Sequence, residues 1–206
     1  MVELNEADIT RRLAAALEHG DGAVYPEAAA LTSFLVGPPK PAAVLAPFQW
    51  TPAGWQVVFT RRNADLPEHS GQVAFPGGRS DPEDGTPEAT ALREAWEEIG
   101  IRPEHVRILG RLHDFLTVTN YRVTPVIGVI PYPYAFTPYD GEVSRVFSIP
   151  LNWLANPANR EIRHRVLPPP HAPVPVIYFN EYDGEVLWGA TARFTLTLLE
   201  ILQDER

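Results

Sequence analysis

The residues best equipped for chemistry in this 206-residue sequence are three glutamates, Glu94, Glu97 and Glu98. They fall at i, i+3 and i+4, which places them on one face of a helix. Like charges at that spacing cost ~0.2–0.5 kcal/mol per pair. They also crowd a helix C-terminus, where the backbone dipole is already negative. Arg93 is the only cation within that helix. A divalent cation turns this cost into a binding site, and oxygen ligands in this number suit Mg²⁺ or Mn²⁺. The competing reading is a solvated acidic face, the usual fate of a charge run.

The helix that must carry these carboxylates is predicted over about Thr86 to Ile99. Thr86 is a good N-cap, Pro87 sits where the first-turn amide has no partner, and Gly100 can take the left-handed position that ends a helix. Leu92, Ala95, Trp96 and Ile99 recur at i, i+3, i+4 and i+7 and are expected to face a core. Upstream, a short strand over Val73 to Phe75 stops at Pro76-Gly77-Gly78. A loop of small and acidic residues follows, Arg79-Ser80-Asp81-Pro82-Glu83-Asp84-Gly85. Paired glycines let backbone amides approach a ligand closely. Strand, glycine loop and acidic helix together form a unit able to hold a metal–diphosphate complex.

Around this unit the pattern alternates. Ile9, Leu13, Ala16 and Leu17 predict a helix over Asp8 to Glu18, with Gly20 as a stop, and a second helical stretch runs from about Pro26 to Leu35. Gly37-Pro38-Pro39-Lys40-Pro41 is a breaker cluster. Strands are expected at Ala42–Leu45, Gln56–Thr60, Val106–Leu112, Arg122–Ile130 and Val174–Phe179, and a last amphipathic helix at Ala192–Leu202. Many strands among scattered helices predict an α/β (α+β) chain with a mixed sheet between helices. The organisation expected is a helical extension over 1–40 and one domain over 41–206. The Ala-rich first helix offers a face either to its own domain or to a second copy in a homodimer.

Composition removes whole classes. With 45% apolar and 21% charged residues the chain is globular rather than disordered. A formal charge of −9 repels phosphodiester backbones, so nucleic acid is not an expected partner. The absence of cysteine excludes disulfides, thiolate metal sites and a cysteine nucleophile. No apolar run approaches the ~18 residues of a membrane span. The acidic start, Met1 to Glu6, does not read as a signal peptide, so a cytoplasmic location is expected.

The glycine loop and acidic helix resemble the Nudix box, G-x5-E-x7-R-E-U-x-E-E-x-G-U, where U is a bulky aliphatic residue. Arg93-Glu94-Ala95-Trp96-Glu97-Glu98-Ile99-Gly100-Ile101 matches its second half, with Ala95 small for its U position. One extra residue between Gly78 and Arg93 offsets the first half, so that Gly85 and Arg79 stand where the pattern has Glu and Gly. Asp84 and Glu83 are the nearest candidates for the displaced carboxylate. The same insertion, with Gly77-Gly78-Arg79-Ser80-Asp81-Pro82-Glu83-Asp84, resembles the coenzyme A diphosphatase branch of that family. So does the upstream element L-L-T-x-R-(S/A)-x3-R-x3-G-x3-F-P-G-G, met here by Val58-Phe59-Thr60-Arg61-Arg62 and by Gly71-Gln72-Val73-Ala74-Phe75-Pro76-Gly77-Gly78. His69 matches a residue common in that branch. Asn63 stands where the pattern has Ser or Ala, and Pro67 replaces its second arginine. Thr124 to Gly128, Gly141-Glu142-Val143 and Trp188 to Arg193 extend the likeness over about Pro41 to Leu202.

This resemblance implies the Nudix α/β/α sandwich and metal-assisted hydrolysis of a nucleoside diphosphate linkage. The implied substrate is coenzyme A or acyl-coenzyme A, cleaved to 4′-phosphopantetheine and adenosine 3′,5′-bisphosphate. Glu94, Glu97 and Glu98 are the implied ligands of Mg²⁺ or Mn²⁺, and Glu97, Glu98 and Glu142 the implied catalytic carboxylates, with Glu97 and Glu142 as the candidates for general base. Arg61, Arg62, Gly77 and Gly78 are expected to meet substrate phosphate. Arg93 is expected to orient carboxylates by a salt bridge, with Asp84 in support. ADP-ribose, a dinucleoside polyphosphate and reduced NAD are the alternative substrates. A nucleotide-binding module without catalysis is the alternative class.

Overall fold

A computed structural model describes residues 4–19, 37–66, 70–117, 119–166 and 173–204. The helical stretch expected over 26–35 lies outside the described residues, as do Pro67 and His69. In chain order the elements are α1 (Glu6–His19), β1 (Lys40–Thr51), β2 (Gly54–Arg62), β3 (Val73–Ala74), β4 (Gly77–Arg79) and α2 (Pro87–Ile99). Then come β5 (Arg107–Arg111), β6 (Phe115–Leu116), β7 (Tyr121–Val129), β8 (Val143–Pro150), α3 (Leu151–Ala155), β9 (Arg160–Arg165), β10 (Val174–Phe179) and α4 (Gly189–Gln203).

Among the described residues β1 is the hub of an eight-stranded mixed sheet, in which β3, β2, β1, β7 and β5 follow one another. One edge of β1 runs parallel to β7, from Lys40↔Tyr121 to Phe48↔Val129. The other edge changes partner along its length. Its second half pairs with β2 from Phe48↔Val57 to Thr51↔Gly54, and its first half pairs with the short β4, Ala43 opposite Gly78 and Val44 opposite Gly77. This split seats the glycine pair on the sheet itself, where the sequence reading placed a loop. β8, also not foreseen, pairs antiparallel with β2. β9 and β10 form a separate two-stranded ribbon.

Alternation along the central strands builds a core on each face. Ala43, Leu45, Val58 and Val126 pack under α2 with Ala91, Ala95 and Ile99. Ala42, Ala46, Phe48, Val57, Phe59 and Ile127 face the other way, onto Ile9 and Leu13 of α1 and Leu198, Leu199 and Leu202 of α4. The result is an α/β/α sandwich. Ile9 and Leu13 are fully buried, so α1 spends its apolar face on this core. The Trp55 indole closes the N-terminal segment by donating to the Leu4 carbonyl (2.6 Å). Among the described residues no helix is long and apolar enough to cross a membrane.

Candidate active site

α2 begins and ends where its caps dictate. The Thr86 side chain accepts from the Ala89 amide, Pro87 fills the first turn, and Gly100 closes the helix at φ 72°. The Gly100 amide donates to the Trp96 carbonyl (2.9 Å), the single bond of an αL cap, and the Ile101 amide reaches back to the Ala95 carbonyl (3.2 Å). The buried face is turned from the one the spacing suggested: Ala95 and Ile99 are buried as expected, Leu92 only in part. Thr90, Ala91, Ala95, Glu98 and Ile99 are buried, whereas Trp96 is 58% exposed. The small Ala91 and Ala95 let the helix lie close on β1, and this turns the indole, one residue or ~100° on, out to solvent. It also explains the small residue at position 95. The chemical consequence is that Glu98 lies on the core-facing stripe instead of beside Glu97.

Arg93 gathers the carboxylates of the loop and the helix. Its Nε donates to Asp84 Oδ1 (2.9 Å) and its Nη2 to Asp84 Oδ2 (3.0 Å), a fork-on-carboxylate pair. Its Nη1 donates to Glu94 (2.9 Å) and to Glu97 (2.9 Å), and Nη2 also reaches the Arg79 carbonyl (3.0 Å). Asp84 further accepts from Thr90 Oγ1 (2.8 Å) and from the Asp81 amide (2.9 Å). The Arg93 hydrogen bond is the main reason the Asp84 carboxyl sits well below the usual range, and burial opposes it without winning. Asp84 in turn raises the Arg93 guanidinium further above its ordinary value. Glu83, the other candidate, is exposed. Glu97 leans on Arg93 with 58% of its side chain exposed, so the three glutamates do not converge as a trio.

The carboxylates whose charges meet are instead Glu94, Glu98 and Glu142. Glu98 is 5% exposed, and burial pushes its carboxyl up to about 8. The charges of Glu94 and Glu142 push the same way, against Arg62 and the Gly77 amide, which favour the carboxylate. Burial likewise raises Glu94 more than Arg93 lowers it, with Glu97 and Glu142 adding repulsion. The glycine pair walls this group closely. A Cβ on Gly78 would stand 2.5 Å from a Glu94 carboxylate oxygen, and one on Gly77 would stand 2.5 Å from the Ala43 carbonyl oxygen. Arg62 Nη1 lies 3.8 Å from Glu98 Oε1, and its Nε is buried without a hydrogen-bond partner. Sequence neighbours gave no sign of this second cation, because it arrives from β2.

The two expected phosphate-binding arginines part company. Successive residues of a strand face opposite ways. Arg61 turns to the buried Glu185 (3.5 Å), which also takes Arg145 (3.1 Å). Arg62 instead borders a cavity of about 540 Å³. Gly77, Gly78 and Arg79 line it on the sheet side with Val44 and Val123, facing Val174, Ile177, Trp188 and Phe194. The glutamates do not line it. Arg62 and the glycine pair are common to the carboxylate group and the cavity.

Comparison with known proteins bears on this architecture. The NUDIX domain family matches residues 39–169. The chain belongs to the Nudix family. It is 38% identical over 161 residues to an uncharacterized Nudix hydrolase, NudL, of Pectobacterium atrosepticum, covering 74% of this chain and 78% of that one. A NudL of Yersinia pestis is 38% identical over 159 residues, covering 73% and 74%. Among solved structures, the Nudix hydrolase RenU of M. smegmatis aligns at a TM-score of 0.49 and 23% identity, over 58% of this chain and 76% of that one. This Nudix chain is therefore a hydrolase acting on a nucleoside diphosphate derivative, as the family is, and Nudix hydrolases use divalent cations.

The residues present fit such a cation. Among the described residues no three metal-binding side chains stand close enough together to hold one as they lie. The surplus charge nevertheless calls for one. The charges of Glu94 and Glu142 raise the proton affinity of the buried Glu98, and that of Glu142 raises Glu94, and all three side chains offer the hard oxygen donors that Mg²⁺ and Mn²⁺ prefer. The Nudix-box arginine plays no part in that centre beyond fixing Glu94 from behind.

Proposed function

We propose that this Nudix hydrolase is a coenzyme A diphosphatase, cleaving coenzyme A or acyl-coenzyme A to 4′-phosphopantetheine and adenosine 3′,5′-bisphosphate. The observation that carries the reading is the shared boundary of Arg62, Gly77 and Gly78 between the buried carboxylates and a roomy, largely apolar cavity. A cavity of about 540 Å³ is the size of a small-molecule site. Its apolar wall suits the pantetheine arm and an attached acyl chain. Arg62 and Arg79 offer positive charge where the diphosphate would lie.

In this reading Glu94 and Glu98 hold Mg²⁺ or Mn²⁺, with Glu142 beside them. The bound cation supplies neutralisation of the diphosphate oxygens and a more acidic water. Glu142, on a loop rather than the helix, takes the proton of the attacking water as its oxygen bonds to phosphorus and the bridging P–O bond breaks. The Arg62 Nε–H, which lacks a partner, donates to a diphosphate oxygen. Gly77 and Gly78 keep the wall bare so that the phosphates come close. Glu97 serves indirectly, by holding Arg93, which with Asp84 fixes Glu94.

The test is a substrate panel with Mg²⁺ and with Mn²⁺: coenzyme A, acyl-coenzyme A, ADP-ribose, a dinucleoside polyphosphate and reduced NAD, scored by kcat/KM. The expected result is preference for the coenzyme A compounds. A higher kcat/KM for another compound would replace the substrate, and no product from any after long incubation would leave a nucleotide-binding module.

A further inference from the structure

We infer that Asn63 positions Glu142, and is the residue through which this chain holds its loop carboxylate over the site. The inference rests on the proposed role of Glu142. The carboxylate rides on the segment 137–142, and its charge acts on both Glu94 and Glu98. One end of that segment is strapped to the C-terminus of α2. The Thr137 amide donates to the Ile99 carbonyl (3.0 Å) and the Tyr139 amide to the Glu98 carbonyl (2.8 Å), both orphan acceptors of the last helical turn. A turn then follows, with the Glu142 amide donating to the Tyr139 carbonyl (2.9 Å).

Asn63 holds the other end. Its amide donates to the Glu142 carbonyl (2.8 Å), and its side-chain Nδ2 donates to the Asp140 carbonyl (2.7 Å). Its Oδ1 accepts from the Asp65 amide (3.1 Å), which fixes the orientation of the side-chain amide. The strand pairing beside it is interrupted. Arg61 opposes Arg145 but Arg62 opposes Val143, and the Ser144 hydroxyl folds back onto the Arg61 carbonyl (3.2 Å). Such a bulge ends regular pairing and re-aims side chains. Beyond it, the ladder no longer dictates where residues 140–142 lie, and the Asn63 side chain takes over that task. The family pattern has Ser or Ala here, and either is shorter and leaves the Asp140 carbonyl unmet. The Asn63 side chain is taken up by the Asp140 carbonyl and the Asp65 amide and does not line the cavity. Asn63 is a positioning residue.

A double-mutant cycle decides the matter, on whichever panel compound the parent cleaves best. Glu142→Gln is expected to lose ~100-fold in kcat, the scale of a proton-transfer group. Asn63→Ala and Asn63→Ser are each expected to lose about 10-fold in kcat with KM within about 2-fold, a loss in keeping with a small misplacement. In the Glu142→Gln background, Asn63→Ala should cost less than about 2-fold more, because the group it positions is already gone. A merely structural role would move KM and melting temperature and would multiply with Glu142→Gln. Full additivity, or parental kcat in Asn63→Ala, overturns the inference and leaves the role of Glu142 standing. Parental kcat in Glu142→Gln overturns both. Mn²⁺ titration of the same four proteins repeats the comparison without turnover: Asn63→Ala and Glu142→Gln should weaken binding non-additively, and unchanged affinity in Asn63→Ala while Glu142→Gln weakens it overturns the inference.

Discussion

Adding one carbon to each of two neighbouring glycines should have opposite consequences. The three atoms nearest a Cβ on Gly78 all belong to the Glu94 carboxylate, at 2.5, 2.6 and 2.8 Å. Ordinary contact begins near 3.4 Å, so this carboxylate must retreat by about 0.9 Å. It is the far end of a flexible chain, so the fold yields at a cost of about 1 kcal/mol. It is also anchored to Arg93 at 2.9 Å, and a misplacement of this size in a catalytic constellation costs ~100-fold. A Cβ on Gly77 meets the backbone of β1, at 2.5 Å from the Ala43 carbonyl oxygen and 2.5 Å from Val44 Cα. Neither can move without disturbing the hub strand, which places the cost at about 3 kcal/mol or more. For a chain of this size that is ~6–12 °C in melting temperature. Thermal unfolding and kcat/KM with Mg²⁺ read the two outcomes: Gly78→Ala melting within about 4 °C of the parent but nearly inactive, Gly77→Ala melting much lower. A Gly78→Ala protein with parental kcat/KM, or a Gly77→Ala protein with parental stability, would refute the close-wall reasoning.

Glu98→Gln should lose ~1,000-fold in turnover, since it removes a charge from the proposed cation site. It should also alter stability in the metal-free protein. The folded carboxyl titrates at about 8, above the ~4.3 of an unfolded glutamate, so the folded state holds the extra proton between those values. Parental stability therefore falls as pH rises through this window, and Glu98→Gln should flatten that slope in denaturant titrations from pH 5 to 9. For the same reason parental Mn²⁺ affinity should rise with pH up to about 8, because binding displaces that proton. Arg93→Ala should destabilise by about 2–4 kcal/mol, leaving Asp84, Glu94 and Glu97 without their common partner. It should also abolish the stability that the parent loses as pH falls below about 4, where Asp84 of the unfolded chain takes up a proton that the depressed carboxyl of the fold still refuses. Arg62→Ala should cut kcat/KM by ~100-fold while Arg61→Ala stays within about 3-fold, since only Arg62 borders both carboxylates and cavity; equal losses would contradict the division.

The sequence revealed the helix best, because its caps are local. Thr86, Pro87 and Gly100 act through atoms within four residues, and the structure uses all three as expected. The face of that helix was less legible. Leu92 and Trp96 outweigh two alanines in any apolar count, yet close approach to β1 favours the alanines, and that approach is a tertiary fact. Gly77–Arg79 has the sequence of a loop because glycines carry no strand preference, and only pairing with β1 makes it a strand. The missing counter-charge of Glu98 was invisible for a similar reason, since Arg62 is 36 residues away and arrives through the β2–β1 ladder. The Arg93–Asp84 contact was legible, since an arginine beside carboxylates in a tight loop readily pairs with one of them. Asn63 showed only as a departure from a pattern. Its target, a backbone carbonyl 77 residues away, leaves no trace in side-chain types.

The most direct test of the central claim is Mn²⁺ binding, followed by titration of the parent, Glu94→Gln, Glu98→Gln and Glu97→Gln at pH 8. The parent should bind in a saturable, site-specific manner. Glu94→Gln and Glu98→Gln should each weaken that binding by at least ~10-fold, the effect of losing a charged ligand, while Glu97→Gln changes it little. Parental affinity in both Glu94→Gln and Glu98→Gln would contradict the assignment of the cation to the buried carboxylates.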